Sequence, residues 1–298
     1  MVLIVYGKSI STKLIDAIIA AVLIIIAFSS LFPILNTLAI SLSDKAAVSA
    51  GKVTVLPIDT SWSNYMTLMG DKQFFNSFVV SLKRVVLGGA IQFVLTALMA
   101  FPLSRETNKF AWRNVYMWAV VISMIFHGGL IPWYLTVKSV GLINTIWALV
   151  LPGAVPVFNV ILLMNFFRGL PKELDEAATM DGAGPWYTLV AIYIPLALPA
   201  LATVTLFSIV GHWNAFFDGL LLIHSPDQMP LQTYINTFLL QPVQTEGMDP
   251  EMMKIIMQTS DQGLSAAKVM VSMVPILLIY PLLQRYFIHG IVLGSVKE

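Results

Sequence analysis

The chain has 298 residues, 17 basic and 16 acidic, with a net charge of only +1. At 11% charged and 57% hydrophobic, it lacks the polar surface of an ordinary soluble enzyme, in which charged residues run near about 25%, and is too apolar for a disordered chain. The charge balance excludes a general attraction for nucleic acid, and the absence of cysteine removes disulfides, thiolate nucleophiles and Cys-ligated metals.

A hydrocarbon layer ~30 Å thick is crossed by about 20 mainly apolar residues in a helix. Runs free of charge predict six such spans, at about 14–35, 80–104, 114–136, 143–166, 188–211 and 264–284. The chain therefore reads as an all-α integral membrane protein with one transmembrane domain over 1–298 and membrane lipid as its solvent. The first span follows Lys8 and Lys13, as a secretion signal would. Its apolar run continues past Leu31 without a small-x-small cleavage site, so it reads as an uncleaved span. The last span needs Lys268 to snorkel. The run Gln228–Thr245 carries Pro230, Pro242 and several amides and reads as a loop. Segments 36–76 and 218–262 are then the long outer loops, and loops of that length are usually functional.

Orientation follows Lys and Arg near the span ends. The short loop Ser104–Arg113 holds Arg105, Lys109 and Arg113, against Lys138 alone in the short loop on the other side. Both termini are therefore expected in the cytoplasm. Lys83 and Arg84 fall at the outer mouth of the second span, within reach of headgroups, and Asp218 falls at a solvated outer helix end.

Enzymatic chemistry finds little support. Gly7-Lys8-Ser9 resembles the end of a phosphate-binding loop, but the glycine required five positions earlier is Val2. His127, His212, His224 and His289 lack metal-ligand spacing. Acids are nearly missing from the spans, which disfavours a proton relay.

The informative stretch is 169–187. Pro171 suits a helix start, and Glu173, Asp175 and Glu176 complement the positive N-terminal end. Leu174, Ala177 and Ala178 share one face, and Gly182 is placed to end the helix before Gly184-Pro185. The small residues leave room for a partner surface. The other reading, an interfacial helix on headgroups, fits less well because the apolar face holds alanines instead of large anchors.

Glu176-Ala177-Ala178, Asp181-Gly182-Ala183 and Ile192-Tyr193-Ile194-Pro195 resemble the EAA loop of binding-protein-dependent ABC importer permeases: EAA, three residues, Gly, nine residues, then I-x-L-P. Every spacing is kept, and Ile194 replaces the usual Leu. Phe126 to Pro132, Trp213-Asn214, Pro230-Leu231-Gln232 and the tail from Gly290 to Lys297 are similar to the carbohydrate-uptake branch. They resemble the smaller permease of the maltose transporter and, more closely, permeases for complex oligosaccharides such as alginate- and pectin-derived uronides.

The resemblance implies a type I ABC importer permease fold in a bacterial cytoplasmic (inner) membrane. It implies a heterodimer with a second permease subunit, an ATPase dimer beneath it and a sugar-binding protein outside. ATP and Mg would sit on the ATPase subunits, with no cofactor in this chain and no nucleic acid partner. Glu176, Ala177, Ala178, Asp181 and Gly182 would form the ATPase-coupling helix, the loop 218–262 would meet the binding protein, and 294–298 would approach the ATPases. Trp133, Tyr134, Asn159, Trp213 and Asn214 combine aromatic faces with hydrogen-bonding groups and are candidates for the sugar path. They fit equally an interfacial aromatic belt and interhelical hydrogen bonding. A self-contained channel or secondary transporter is the alternative reading. It would call for charged or ion-binding residues at mid-span.

Overall fold

The computed structural model describes residues 10–240 and 261–295, and every regular element among them is helical. The chain divides into two compact units, Met1–Asp71 with Pro242–Val271, and Lys72–Gln241 with Ser272–Glu298.

The first unit opens with α1 (Ile10–Ser41), 32 residues long, or about 48 Å at 1.5 Å per residue. Its span-length window is not buried at any position. A helix apolar around its whole circumference is matched to lipid or to another membrane helix. Two short helices follow, α2 (Lys45–Ser49) and α3 (Ser63–Gly70). The Asp44 carboxylate caps α2 by accepting from the Ala46 N–H at 2.9 Å. Ala39, Ala47, Val48 and Val53 form a small core. Asn64 ties α3 to the end of α1 by donating to the Ser41 carbonyl at 2.9 Å.

The second unit is organised around α4 (Lys72–Ser104), which packs against α8 (Val157–Arg168) and α12 (Leu198–Asn214). Small and short polar residues line the packed face of α4, including Ser77, Ser81, Thr96, Ala97 and Ala100. Close backbone approach through small residues is how helices associate where lipid supplies no hydrophobic drive. Phe101, Leu163, Phe167, Leu189, Tyr193 and Val204 belong to the resulting core.

Three expected spans are single helices long and apolar enough to cross a membrane: those within α1, within α4 and at the start of α15 (Asp261–Ser295). The other three are interrupted. The span expected over 114–136 is α5 (Arg113–Ile125) and α6 (Leu130–Ser139), bent by 113°. The bend falls at Gly128-Gly129, where Gly129 has φ +89°, a conformation that L side chains resist. The span expected over 143–166 is α7 (Ile146–Val150), an irregular stretch and then α8. Pro152 and Pro156 each lack the N–H a continuous helix requires, and the 12 residues of α8 reach only about 18 Å. The span expected over 188–211 starts with a π-helical turn, Thr188–Tyr193, and then bends by 84° between the segments Pro185–Leu196 and Leu198–Asn214. Pro195 and Pro199 flank that bend and withdraw two donors from the helical ladder.

The segments expected to be long loops also carry structure. After α13 (Phe217–Leu222), and within the run expected to be a loop, Leu231–Leu240 is a helix, here α14. Pro230 stands just ahead of its first residue, where a missing N–H costs nothing. Leu231 and Ile235, one turn apart, are buried. The expectations for 241–260 and for the tail beyond 295 lie outside the described residues.

Lys268 does not snorkel. Its side chain is 1% exposed, and Nζ lies 2.8 Å from Asp71 Oδ2 within the first unit.

Candidate functional site

The stretch 169–187 forms a helix and a turn. α9 (Lys172–Met180) has Glu173 and Asp175 in its first turn. At its C-terminal end the Gly182 N–H donates to the Thr179 carbonyl at 3.1 Å, and the Ala183 N–H donates to the Ala178 carbonyl at 2.9 Å. This paired arrangement is a Schellman cap. It needs a left-handed residue, and Gly182 supplies φ +74°. A new helical turn, α10 (Pro185–Tyr187), starts at Pro185.

Glu176, Ala177, Asp181 and Gly182 are exposed together. Met180 is 88% exposed and Trp186 70%. Ala178 differs from the expectation: it is buried, because its position on α9 faces the rest of the unit. Its carbonyl closes the cap, so it shapes the exposed surface without belonging to it.

Sequence reading passed over the residues that hold this loop in place. Asp175 pairs with Arg105 through one carboxylate oxygen and with Lys109 through the other. The Arg105 guanidinium stacks over the rings of Phe101 and Tyr193, 4.1 and 4.6 Å from their centroids, and donates to the Tyr193 hydroxyl at 3.2 Å. Such stacking suits the weakly hydrated, planar arginine cation. Burial pushes the Asp175 carboxyl up, but the hydrogen bonds from Lys109 and Arg105 outweigh it and hold it below the usual aspartate range. Beside it, Lys172 pairs with Glu106 in the open. The hydrogen bond and charge of Lys172 lower the Glu106 carboxyl, and those of Glu106 raise the Lys172 ammonium. Arg113 and Arg168 both donate to the Leu103 carbonyl, each at 3.0 Å, satisfying an orphan acceptor at the end of α4. A groove of about 560 Å³ opens alongside, lined in part by Arg105, Lys109, Asp175, Thr179 and Trp186. The sequence did carry a signal: three basic residues in one short loop, an acid-rich helix start in another.

A second concavity, about 430 Å³, lies within the second unit among α4, α7, α8 and α12, with Trp133 and Asp218 at its wall. It combines aromatic faces, Trp133 and Phe207, with Gln92, Asn159, Ser208 and His212. Arg84 and Asp218 also line it and are joined by a paired hydrogen bond, Nη1 to Oδ1 at 3.1 Å and Nη2 to Oδ2. Arg84 is therefore not at a headgroup, as the sequence suggested, because α4 starts twelve residues before it and buries it to 3% exposure. Asp218 is not simply solvated, since it is the counter-charge. Arg84 Nε and His212 Nε2 are buried with no hydrogen-bond partner among the described residues.

The five expected sugar-path residues separate. Trp133 and Asn159 line this cavity. The Asn159 amide donates to the Val204 carbonyl and to Ser208 Oγ, both at 3.2 Å, so it also fastens α8 to α12. Tyr134 packs with Trp133 against Val137, Ala148 and Leu222. Trp213 is a packing anchor: it is buried, its Nε1 donates to the Ser272 carbonyl at 3.1 Å, and its ring meets Phe78 edge-on. Asn214 is exposed at the end of α12. Sequence reading missed Arg84, Gln92, Ser208 and His212. Among the described residues no group of His, Asp and Glu is placed to hold a metal ion.

Residues 77–293 match the family model described as binding-protein-dependent transport system inner membrane component. The chain is 33% identical over 287 residues to the polygalacturonan/rhamnogalacturonan transport system permease protein YtcP of Bacillus subtilis (strain 168), covering 96% of this chain and 99% of the relative. It is 36% identical over 268 residues to Protein LplC of the same organism, covering 90% of each. Its fold superposes with a TM-score of 0.85 and 30% identity on a chain of the crystal structure of a bacterial ABC transporter involved in import of the acidic polysaccharide alginate, covering 95% of this chain and 99% of that one.

Proposed function

The chain belongs to the family of binding-protein-dependent transport system inner membrane components, and from that premise we propose how it works. It is a permease subunit of an ABC importer for oligosaccharides, a transporter component and not an enzyme. It pairs with a second permease subunit, rests on a dimer of ATPase subunits that hold ATP and Mg, and receives sugar from a binding protein on the outer face of a bacterial cytoplasmic membrane. Both termini are cytoplasmic. Its six membrane passes include two bent pairs and one interrupted pass.

The observation that carries this reading is the free face of α9 and its cap. Glu176, Ala177, Met180, Asp181 and Gly182 stand exposed beside Trp186 and Tyr187, on a helix whose other face is clasped by ions and aromatic rings. Such a face is suited to dock in a cleft of an ATPase subunit. ATP-driven closure would then move the inner ends of the helices and switch the cavity's access from inside to outside. The cavity of Trp133, Gln92, Asn159, Ser208 and His212 is the part of the path this chain contributes. Its aromatic walls suit sugar faces, and its amides and hydroxyl suit sugar hydroxyls. Uronides are the substrate class to test first, because the polygalacturonan/rhamnogalacturonan and alginate systems are the ones this chain resembles.

The test is isolation of the chain in mild detergent from cells expressing its whole transport operon. Co-isolation of an ATPase subunit and a second permease is expected. Their absence, with uptake intact in membranes lacking any ATPase, would instead establish a self-contained channel or secondary transporter.

A further inference from the structure

We propose that the Asp175–Arg105 ion pair is a latch that carries the motion of the coupling loop into α4, and through α4 to the cavity. This rests on the importer reading above and adds the route by which force travels.

The covalent route from the loop into the membrane is poorly shaped for that task. It passes through α10, a π-helical turn and a three-residue helix, α11 (Ile194–Leu196), and then turns by 84° into α12. Pro195 and Pro199 leave the ladder short of two donors at the bend. A push along the first segment is directed almost wholly across the second.

The latch offers a straighter route. Arg105 follows directly on the last residue of α4. Its side chain is 13% exposed and that of Asp175 14%, so water competes weakly for either charge. The guanidinium is fixed on four sides: by Phe101 of α4 itself, by the Tyr193 ring, by the Tyr193 hydroxyl and by Asp175. Lys109 occupies the second carboxylate oxygen, so both oxygens of Asp175 are engaged. The loop's first helical turn is thereby pinned to the end of a 33-residue helix. Along that helix Arg84, Gly88 and Gln92 stand one turn apart, and Arg84 and Gln92 line the cavity. Asp175 is a positioning residue: it does not line the cavity and acts through Arg105.

The experiment uses the complete importer in proteoliposomes, with its partner subunits and sugar-loaded binding protein. Asp175→Asn is expected to retain ATPase subunits at the wild-type ratio while maximal uptake falls at least about tenfold, with the binding-protein concentration for half-maximal uptake unchanged. Asp175→Glu should recover at least about a third of the rate. Because the chain has no cysteine, the double variant K109C/D175C allows a clean repair. Bridging it with a short bis-methanethiosulfonate, which forms a disulfide at each cysteine and expels methanesulfinate, should restore uptake, and reducing those disulfides should remove it. Normal uptake by Asp175→Asn, loss of its ATPase subunits, or an inactive bridged variant would each overturn the latch alone. Failure of the wild-type chain to hold ATPase subunits would overturn the importer reading and the latch together.

Discussion

The second unit contains two arginine–aspartate pairs that look alike on paper and differ in what surrounds them. Arg105–Asp175, beside α9, is reinforced: a second cation, two aromatic rings and a phenol hydroxyl surround it. Arg84–Asp218, on the cavity wall, stands with fewer supports, and one nitrogen of Arg84 has no acceptor. In the latch proposed above, the first pair would hold one moving part to another. The second neutralises a charge that the fold has buried. Breaking the first should cost function with little stability, and breaking the second should cost stability outright.

The largest effect is expected from Asp218→Ala, which leaves the Arg84 charge buried alone. Removing one partner of a buried pair costs about 3–5 kcal/mol, so the chain should fail to accumulate or should lose its thermal transition in nanodiscs. The double replacement R84M/D218L, which removes both charges, should recover most of that stability. A double variant as unstable as the single one would mean the pair does more than cancel charge. Next comes Gly88→Ala. A Cβ at Gly88 would sit 2.3 Å from His212 Nε2, and overpacking of this kind costs about 1–3 kcal/mol. Pairing it with His212→Ala should return the melting temperature toward wild type. Gly182→Ala has open space around its Cβ but must hold φ +74°, at about 1–2 kcal/mol of strain. That strain is local to the cap, so loss of ATPase capture should exceed loss of melting temperature.

The smallest stability effect, under about 1 kcal/mol, is expected for Asp175→Asn, whose amide keeps an oxygen to accept from Arg105 and whose second partner, Lys109, is 45% exposed. Its pH dependence sharpens the contrast. The folded Asp175 carboxyl is held below the usual aspartate range, first against the opposing effect of burial and then by Lys109 and Arg105. Its contribution is therefore complete above the unfolded value near about 4 and is lost only as pH falls through the lower folded value. The ratio of wild-type to Asp175→Asn uptake should stay flat from about pH 8 to pH 5. A ratio already closing at pH 6 would contradict the assignment of the carboxylate.

Much of this was legible in the sequence, for identifiable reasons. Charge-free runs located the apolar segments because lipid penalises charge regardless of helix direction. Gly182 was legible as a terminator because only a few residues accept a left-handed backbone. The breaks in three spans were not placed, although Gly128-Gly129, Pro152, Pro156, Pro195 and Pro199 were all in view. A proline in a membrane helix is compatible with a gentle kink or a full break, and neighbouring helices decide which. The three ion pairs at Arg84, Arg105 and Lys268 were misread or missed. Topology rules count basic residues near span ends, whereas pairing depends on partners 134, 70 or some 200 positions away in sequence. Trp213 and Asn159 show the same limit: their residue types were legible, but their hydrogen bonds to the Ser272 and Val204 carbonyls were not.

The π-helical turn at Thr188–Tyr193 has a further consequence for heredity. Such a turn is an α-helix with one residue too many, accommodated by i→i+5 bonding. Deleting one of its apolar residues would let the segment close into an ordinary α-helix with the residues on either side close to their present register. Asp175 would keep its place against Arg105, and only the wide turn would go. The same one-codon deletion within α9 or α12, which have no surplus residue to give up, would turn everything on one side of it by about 100°. Length should accordingly be more forgiving in this turn than in the regular helices around it.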